Sequence, residues 1–201
     1  MSMRPGCGRA MSRRRQGRAP STALVTTLAL VAVLVTACSG NGGTAGVTVY
    51  CVPPNGQFET GVVLMHQAVP GARQIPCVSS FPAGWTFGSL QATRGSATMT
   101  FDSDRGGIGA LKVTLVPSCH PRGTPMPPDV LGATTLRQLQ KTFGPRYVAT
   151  RYYSFRGGCM IFELDLARET RSTLTIDAAA MVNLVSRSTI DRQLAEAGVG
   201  P

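Results

Sequence analysis

Hydrophobic and polar positions alternate most cleanly over residues 159–166, where Met160, Phe162, Leu164 and Leu166 are opposed to Glu163 and Asp165. A two-residue period sends successive side chains to opposite faces, so this segment is predicted to be a strand with one buried face. Arg156-Gly157-Gly158 joins it to residues 147–155 as a hairpin. A second hairpin is predicted from residues 86–92 and 96–102. There Ala97, Met99 and Phe101 alternate with Ser96, Thr98 and Thr100, and Thr93-Arg94-Gly95 supplies the turn. Residues 109–116 follow with Leu111, Val113 and Leu115 set against Lys112 and Thr114, which predicts another strand.

Other segments carry a different rhythm. Residues 47–52 form a short strand candidate before the turn residues Pro53-Pro54-Asn55-Gly56. Residues 61–69 form a short apolar run, helix or strand, stopped by Pro70-Gly71. Residues 119–132, with Pro121, Pro127 and Pro128, read as a long loop. Residues 134–143 are ambiguous, since Leu136, Leu139 and Phe143 fit helical spacing while the same run fits an edge strand. Asp177 can cap a helix reaching about Arg187 with Met181, Leu184 and Val185 on one face, and Ser188 or Thr189 can cap a last helix over 190–197 that ends at Gly198. Together these elements predict an α+β fold: an antiparallel sheet of about five strands with C-terminal helices packed on one face.

Ahead of the domain lies an apolar run, residues 23–37, shorter than the roughly 20 residues that cross a bilayer. Arg4, Arg9, Arg13, Arg14, Arg15 and Arg18 precede it, with no acid before Cys38. A positive segment followed by an apolar one is the layout of a secretory signal. Val35-Thr36-Ala37-Cys38 resembles the lipobox of bacterial lipoproteins. That resemblance implies cleavage after Ala37 and acylation, palmitate-type, of Cys38, so that residues 1–37 are a signal peptide. Residues 38–46 then form a lipidated flexible tether rich in Gly, and residues 47–201 a single extracytoplasmic domain. Met11 is a second candidate start. Pro76-Cys77, Pro82-Ala83-Gly84-Trp85, Phe101-Asp102-Ser103-Asp104-Arg105, Thr150-Arg151-Tyr152-Tyr153 and Gly157-Gly158-Cys159 resemble segments of uncharacterised actinobacterial membrane-associated proteins. That likeness implies no activity and no site residues. Lys112 and Lys141 are the only lysines, an Arg preference that fits a GC-rich actinobacterial genome.

Cleavage changes the charge picture. The whole chain carries +10, but the mature part holds fourteen basic and ten acidic residues, a net +4. The basicity that would suggest nucleic acid as a partner resides largely in the leader. Cys51, Cys77, Cys119 and Cys159 remain as an even set outside the cytoplasm, which reads as two disulfides with three connectivities open. Cys51 with Cys77 and Cys119 with Cys159 is the expected arrangement, because it staples the two halves separately. No C-x-x-C occurs and His66 and His120 lack ligand spacing, so neither metal nor cofactor is expected.

Candidate chemistry is sparse. Asp102-Ser103-Asp104-Arg105-Gly106-Gly107 begins like a calcium loop but has Gly106 at the third ligand position and Val113 where a bidentate Glu belongs. It reads as a turn whose Asp side chains bond backbone N–H groups and whose Arg105 balances their charge. His66 reads as a packed, hydrogen-bonded core histidine. Ser79, Ser80, Ser118, His120, Ser154 and Glu59 sit in no recognisable nucleophile or acid–base context, and Trp85 reads as a core anchor. Arg137, Lys141, Arg146, Arg151 and Arg156 lie in a stretch free of acids and interleaved with Tyr147, Tyr152, Tyr153 and Phe155, a candidate anion-binding patch. The expectation is a non-enzymatic envelope lipoprotein, anchored on the extracytoplasmic face of the cell membrane. It would bind or support an envelope protein complex or an anionic cell-wall polymer. The alternative is an extracytoplasmic hydrolase or other small-substrate enzyme whose site is assembled from residues distant in sequence.

Overall fold

A computed structural model describes residues 49–51, 60–167 and 169–198, all within one compact unit inside Gly42–Pro201. The lipobox, Cys38, the tether, half of the strand candidate at 47–52, the turn at 53–56 and Glu59 lie outside the described residues. Elements run α1 (Thr60–Ala68), β1 (Gln74–Val78), β2 (Trp85–Thr93), β3 (Ser96–Ser103), β4 (Gly107–Val116), β5 (Thr124–Met126), β6 (Thr135–Phe143), β7 (Arg146–Phe155), β8 (Gly158–Ala167), α2 (Arg171–Met181), β9 (Val182–Ser186) and α3 (Arg187–Glu196). Among the described residues, no helix is long and apolar enough to cross a membrane.

The fold is α+β with antiparallel sheets, and the main sheet has seven strands in the order β2-β3-β4-β8-β7-β6-β5 rather than about five. Two meanders, β2-β3-β4 and β5-β6-β7-β8, meet where β8 pairs with β4. Leaving β4 at Val116, the chain must pass over β8, β7 and β6 to start β5 at Thr124. Four strand spacings come to about 19 Å, and seven fully extended residues reach about 25 Å. The proline-containing segment between Val116 and Thr124 is therefore a largely extended strap. Cys119 in that strap is bonded to Cys159, and Cys159 is the register partner of Val116, so the disulfide pins the strap where it leaves the sheet.

The extra strands come from the two segments whose local pattern was weakest. Residues 124–126, inside the expected loop, form an edge strand that tolerates Pro125 because an edge strand needs hydrogen bonds on one side only. Residues 135–143 are β6, since pairing on both sides outweighs the helical spacing of Leu136, Leu139 and Phe143. The expected helix from Asp177 to Arg187 is likewise corrected. α2 starts at Arg171 and stops at Met181, and Val182–Ser186 pairs antiparallel with β1. Ser186, not Ser188 or Thr189, caps the last helix, its hydroxyl accepting from Thr189 N. Residues 60–68 form a helix with Val62 and Met65 buried at i, i+3 spacing.

Alternation places the cores of the strands on one face. Met99, Phe101, Leu111, Val113, Leu115, Met160, Phe162, Leu164 and Leu166 are fully or almost fully buried there. α1 packs on β1, β2 and β3, α2 on β8 and β9, and α3 on β9 and α1. The second disulfide joins Cys51 to Cys77 beside the parallel bridge from Tyr50 to Val78.

Candidate binding face

Helices and the small sheet cover the apolar face, so the other face of the main sheet is left with the polar phase of each strand. Register aligns that phase in rows. One row crosses all seven strands as Gln91, Thr98, Thr114, Ile161, Tyr152, Arg137 and Pro125. The next runs Ser89, Thr100, Lys112, Glu163, Thr150 and Leu139. Hydroxyls pair across the strands, Thr98 with Thr114 at 3.2 Å and Ser89 with Thr100 at 2.9 Å. Lys112 Nζ lies 2.7 Å from a Glu163 oxygen, both half exposed.

Where these rows cross β4, β8 and β7 the face is concave. A depression of 330 Å³ is lined by Thr98, Lys112, Thr114, Lys141, Thr150, Tyr152, Ile161 and Glu163. Lys141 enters it from β6, where the register shifts between Gln140 and Thr142, and it makes no ion pair with a described residue. Thr150 is 3 % exposed, and its hydroxyl has no hydrogen-bond partner. Apart from Tyr152 and Ile161, the lining is polar.

The five residues of the expected anion patch do not form one surface. Arg137 lies on the open face, its Nε and Nη2 donating to Gly123 O at 3.1 and 2.8 Å. Arg146, also on the open side, donates from Nε to Asp165 Oδ1 at 2.6 Å. Arg156 is in the β7–β8 turn, where its carbonyl accepts from Arg73 N. Arg151 points into the protein, because odd positions of β7 face the core and Arg151 is one of them. Only Lys141 presents a cation without a described counter-ion at the concavity.

Arg151 instead anchors a loop. Its Nη1 donates to Asp129 Oδ2 at 2.7 Å and its Nε to Gln138 Oε1 at 2.7 Å. The Tyr153 hydroxyl donates to Asp129 Oδ1 at 2.9 Å. Burial pushes the Tyr153 phenol well above its ordinary pKa, so it stays a donor. Burial alone pulls the Arg151 guanidinium down, but Tyr153 and Asp129 more than offset it and hold it above its ordinary value.

Other candidates are absorbed by structure. Asp102 Oδ1 accepts from Gly109 N at 2.7 Å, Ser103 Oγ accepts from Arg105 N and Gly106 N, and Arg105 pairs with Asp104 and Asp177. These are the bonds expected of a turn. His66 Nε2 lies 2.7 Å from Asp191 Oδ1, which fits a packed histidine, and Arg187 donates to the carbonyls of His66, Val69 and Ala72 at the end of α1. Burial lowers the Arg187 guanidinium. Cys119 is spent in its disulfide, and Trp85 is buried in the core.

The alternation of Thr98, Lys112, Thr114 and Glu163 was visible in the sequence as a solvent phase. Their convergence was not, because it depends on β8 returning to pair with β4. No protein-family model matches the chain. Neither the curated proteins nor the solved structures searched contain a match to it.

Proposed function

We propose that this chain is a lipid-anchored envelope protein that acts without catalysis, as a binding module for a cell-wall polymer. The anchor is Cys38, following a positive segment and an apolar run. Two acyl chains hold stably where one does not, at about 0.8 kcal/mol per buried methylene. The tether of residues 38–46 lets the domain stand off the membrane.

The observation that carries the binding role is the open face, two cross-strand rows of hydroxyl and charged side chains with a concavity where they cross. A stable protein–protein interface is built around aromatic and apolar anchors in its centre. This centre has one tyrosine and one isoleucine among threonines, lysines and a glutamate, a composition suited to a hydroxyl-rich polymer. Net +4 on the mature chain favours an anionic polymer over a cationic one.

Two measurements test this. Cells fed a tagged fatty acid should label the protein, and Cys38→Ser should remove the label and move the protein from the membrane to the soluble fraction. An unlabelled native protein overturns the anchor. A photo-crosslinking residue at Thr114, on the open face, should capture wall polymer in intact cells, and one at Ile176, exposed on α2, should not. Capture of a discrete protein from Thr114, or equal capture from both positions, overturns the polymer reading.

A further inference from the structure

We propose that the concavity on the open face holds one monoanionic sugar unit of that polymer, its charge on Lys141 and its hydroxyls on Glu163, Thr114 and Thr150. The inference rests on the polymer-binding reading and names the ligand chemistry of the same face.

Size comes first. At 330 Å³ the depression lies at the lower end of small-molecule sites. It fits a single ring rather than an extended segment, and the rest of the polymer would lie along the rows. A chain running across the strands meets a new side chain of the row at each strand spacing, about 4.8 Å, most of them polar.

Charge selects a monoanion. Lys112 is paired with Glu163 at 2.7 Å, so the two offset each other. Lys141, exposed and without an ion pair to a described residue, leaves one net positive charge over the depression. A dianion such as a phosphate monoester would set its second charge against Glu163. A carboxylate or a phosphodiester would not. Lysine engages either one as a point charge on a flexible stem.

Hydroxyl recognition has several donors and acceptors in place. Glu163 offers its second carboxylate oxygen as an acceptor. Thr98 and Thr114 share a single hydrogen bond at 3.2 Å and so retain unused lone pairs. Thr150 contributes most to selectivity. Its hydroxyl is buried without a partner, a cost that the free protein carries and that a ligand hydroxyl would relieve. Thr150 and Lys141 both line the depression, and a lysine's flexible stem can change rotamer to let a ligand hydroxyl reach the threonine. Tyr152 and Ile161 offer an apolar floor to the C–H face of a ring.

The test uses the full chain solubilised in detergent and three defined tetramers: an oligo-uronate, an oligomer of hexoses joined by phosphodiesters and a neutral oligoglucoside. Calorimetry at low salt should show at least one anionic tetramer binding tenfold or more tightly than the neutral one. Which of the two binds identifies the source of the anion. Lys141→Gln should abolish most of that preference with an unchanged melting temperature. Thr150→Val should weaken binding severalfold without loss of stability. Equal affinity for the neutral tetramer, no binding by any tetramer, or a preference that survives Lys141→Gln overturns the inference, as does binding only to anionic lipid vesicles. Capture of a neutral polymer through Thr114 in cells would sink this ligand and leave the polymer-binding reading standing. Capture of a discrete protein would sink both.

Discussion

Removing the Asp129 carboxylate should destabilise the fold out of proportion to a loop substitution, because it strips two hydrogen bonds from a buried cation and its neighbour. Arg151 is 8 % exposed at its side chain and Asp129 39 %. Asp129→Ala deletes the 2.7 Å bond to Arg151 and the 2.9 Å bond from Tyr153. Hydrogen bonds to charged groups contribute about 1.5 to 3 kcal/mol each, which gives roughly 3 to 6 kcal/mol for the two. Solvent at the Asp129 end screens part of that and rehydrates part of what is exposed, so we expect about 2 to 3 kcal/mol. Asp129→Asn, which keeps an acceptor for one bond, should cost about half as much. The assay is urea unfolding with disulfides intact, followed by the fluorescence of Trp85, the single and buried tryptophan. Arg151→Met repairs the problem from the other side by removing the stranded cation. Asp129→Ala in the Arg151→Met background should therefore cost much less than in the native protein, with a coupling of about 1 to 2 kcal/mol. A cost below about 0.5 kcal/mol for Asp129→Ala, or no coupling in the cycle, would refute the view that this pair holds the loop to β7. Cleavage near Leu131, which is 83 % exposed in that loop, should accelerate in the Asp129→Ala protein.

Tyr153 makes stability pH-dependent in the alkaline range. Its folded pKa lies above the unfolded value, so its contribution is complete below about pH 10. Above that it is lost as the unfolded chain ionises, at up to about 1.4 kcal/mol per pH unit. Unfolding measured from pH 8 to 11.5 should show this fall in the native protein and a shallower one in Tyr153→Phe; parallel curves would count against it. The two disulfides close loops with sequence separations of 26 and 40, for which chain entropy gives about 3.5 and about 4 kcal/mol. Replacing Cys119 and Cys159 by Ser should thus lower the urea midpoint at least as much as replacing Cys51 and Cys77, and the reverse order would point to enthalpy rather than loop length. Gly157 sits at φ 74°, and a Cβ there would meet the Gly71 carbonyl oxygen. Gly157→Ala should cost about 2 kcal/mol or more, and a neutral effect would mean that the turn shifts freely.

Sequence alone determined the elements whose own side chains specify them. Period-two alternation marked β3, β4 and β8 and assigned Met160, Phe162, Leu164 and Leu166 to the core, because a half-buried strand writes its environment into every second residue. The Asp102–Gly107 turn was legible from its own Asp and Gly residues, while the cysteine count required two disulfides but left three connectivities open until the structure paired Cys51 with Cys77 and Cys119 with Cys159. Tertiary structure decided the rest. β5, three residues with a proline, and β9, with the apolar content of a helix, exist because an edge was there to pair with. Arg151 belonged by composition to a basic patch, yet its odd position in β7 turned it into the core, where Asp129 meets it. Thr98, Lys112, Thr150 and Glu163 lie on four different strands. They became neighbours only when the second meander folded back to lay β8 against β4, and a contact between distant segments leaves no local periodicity to read.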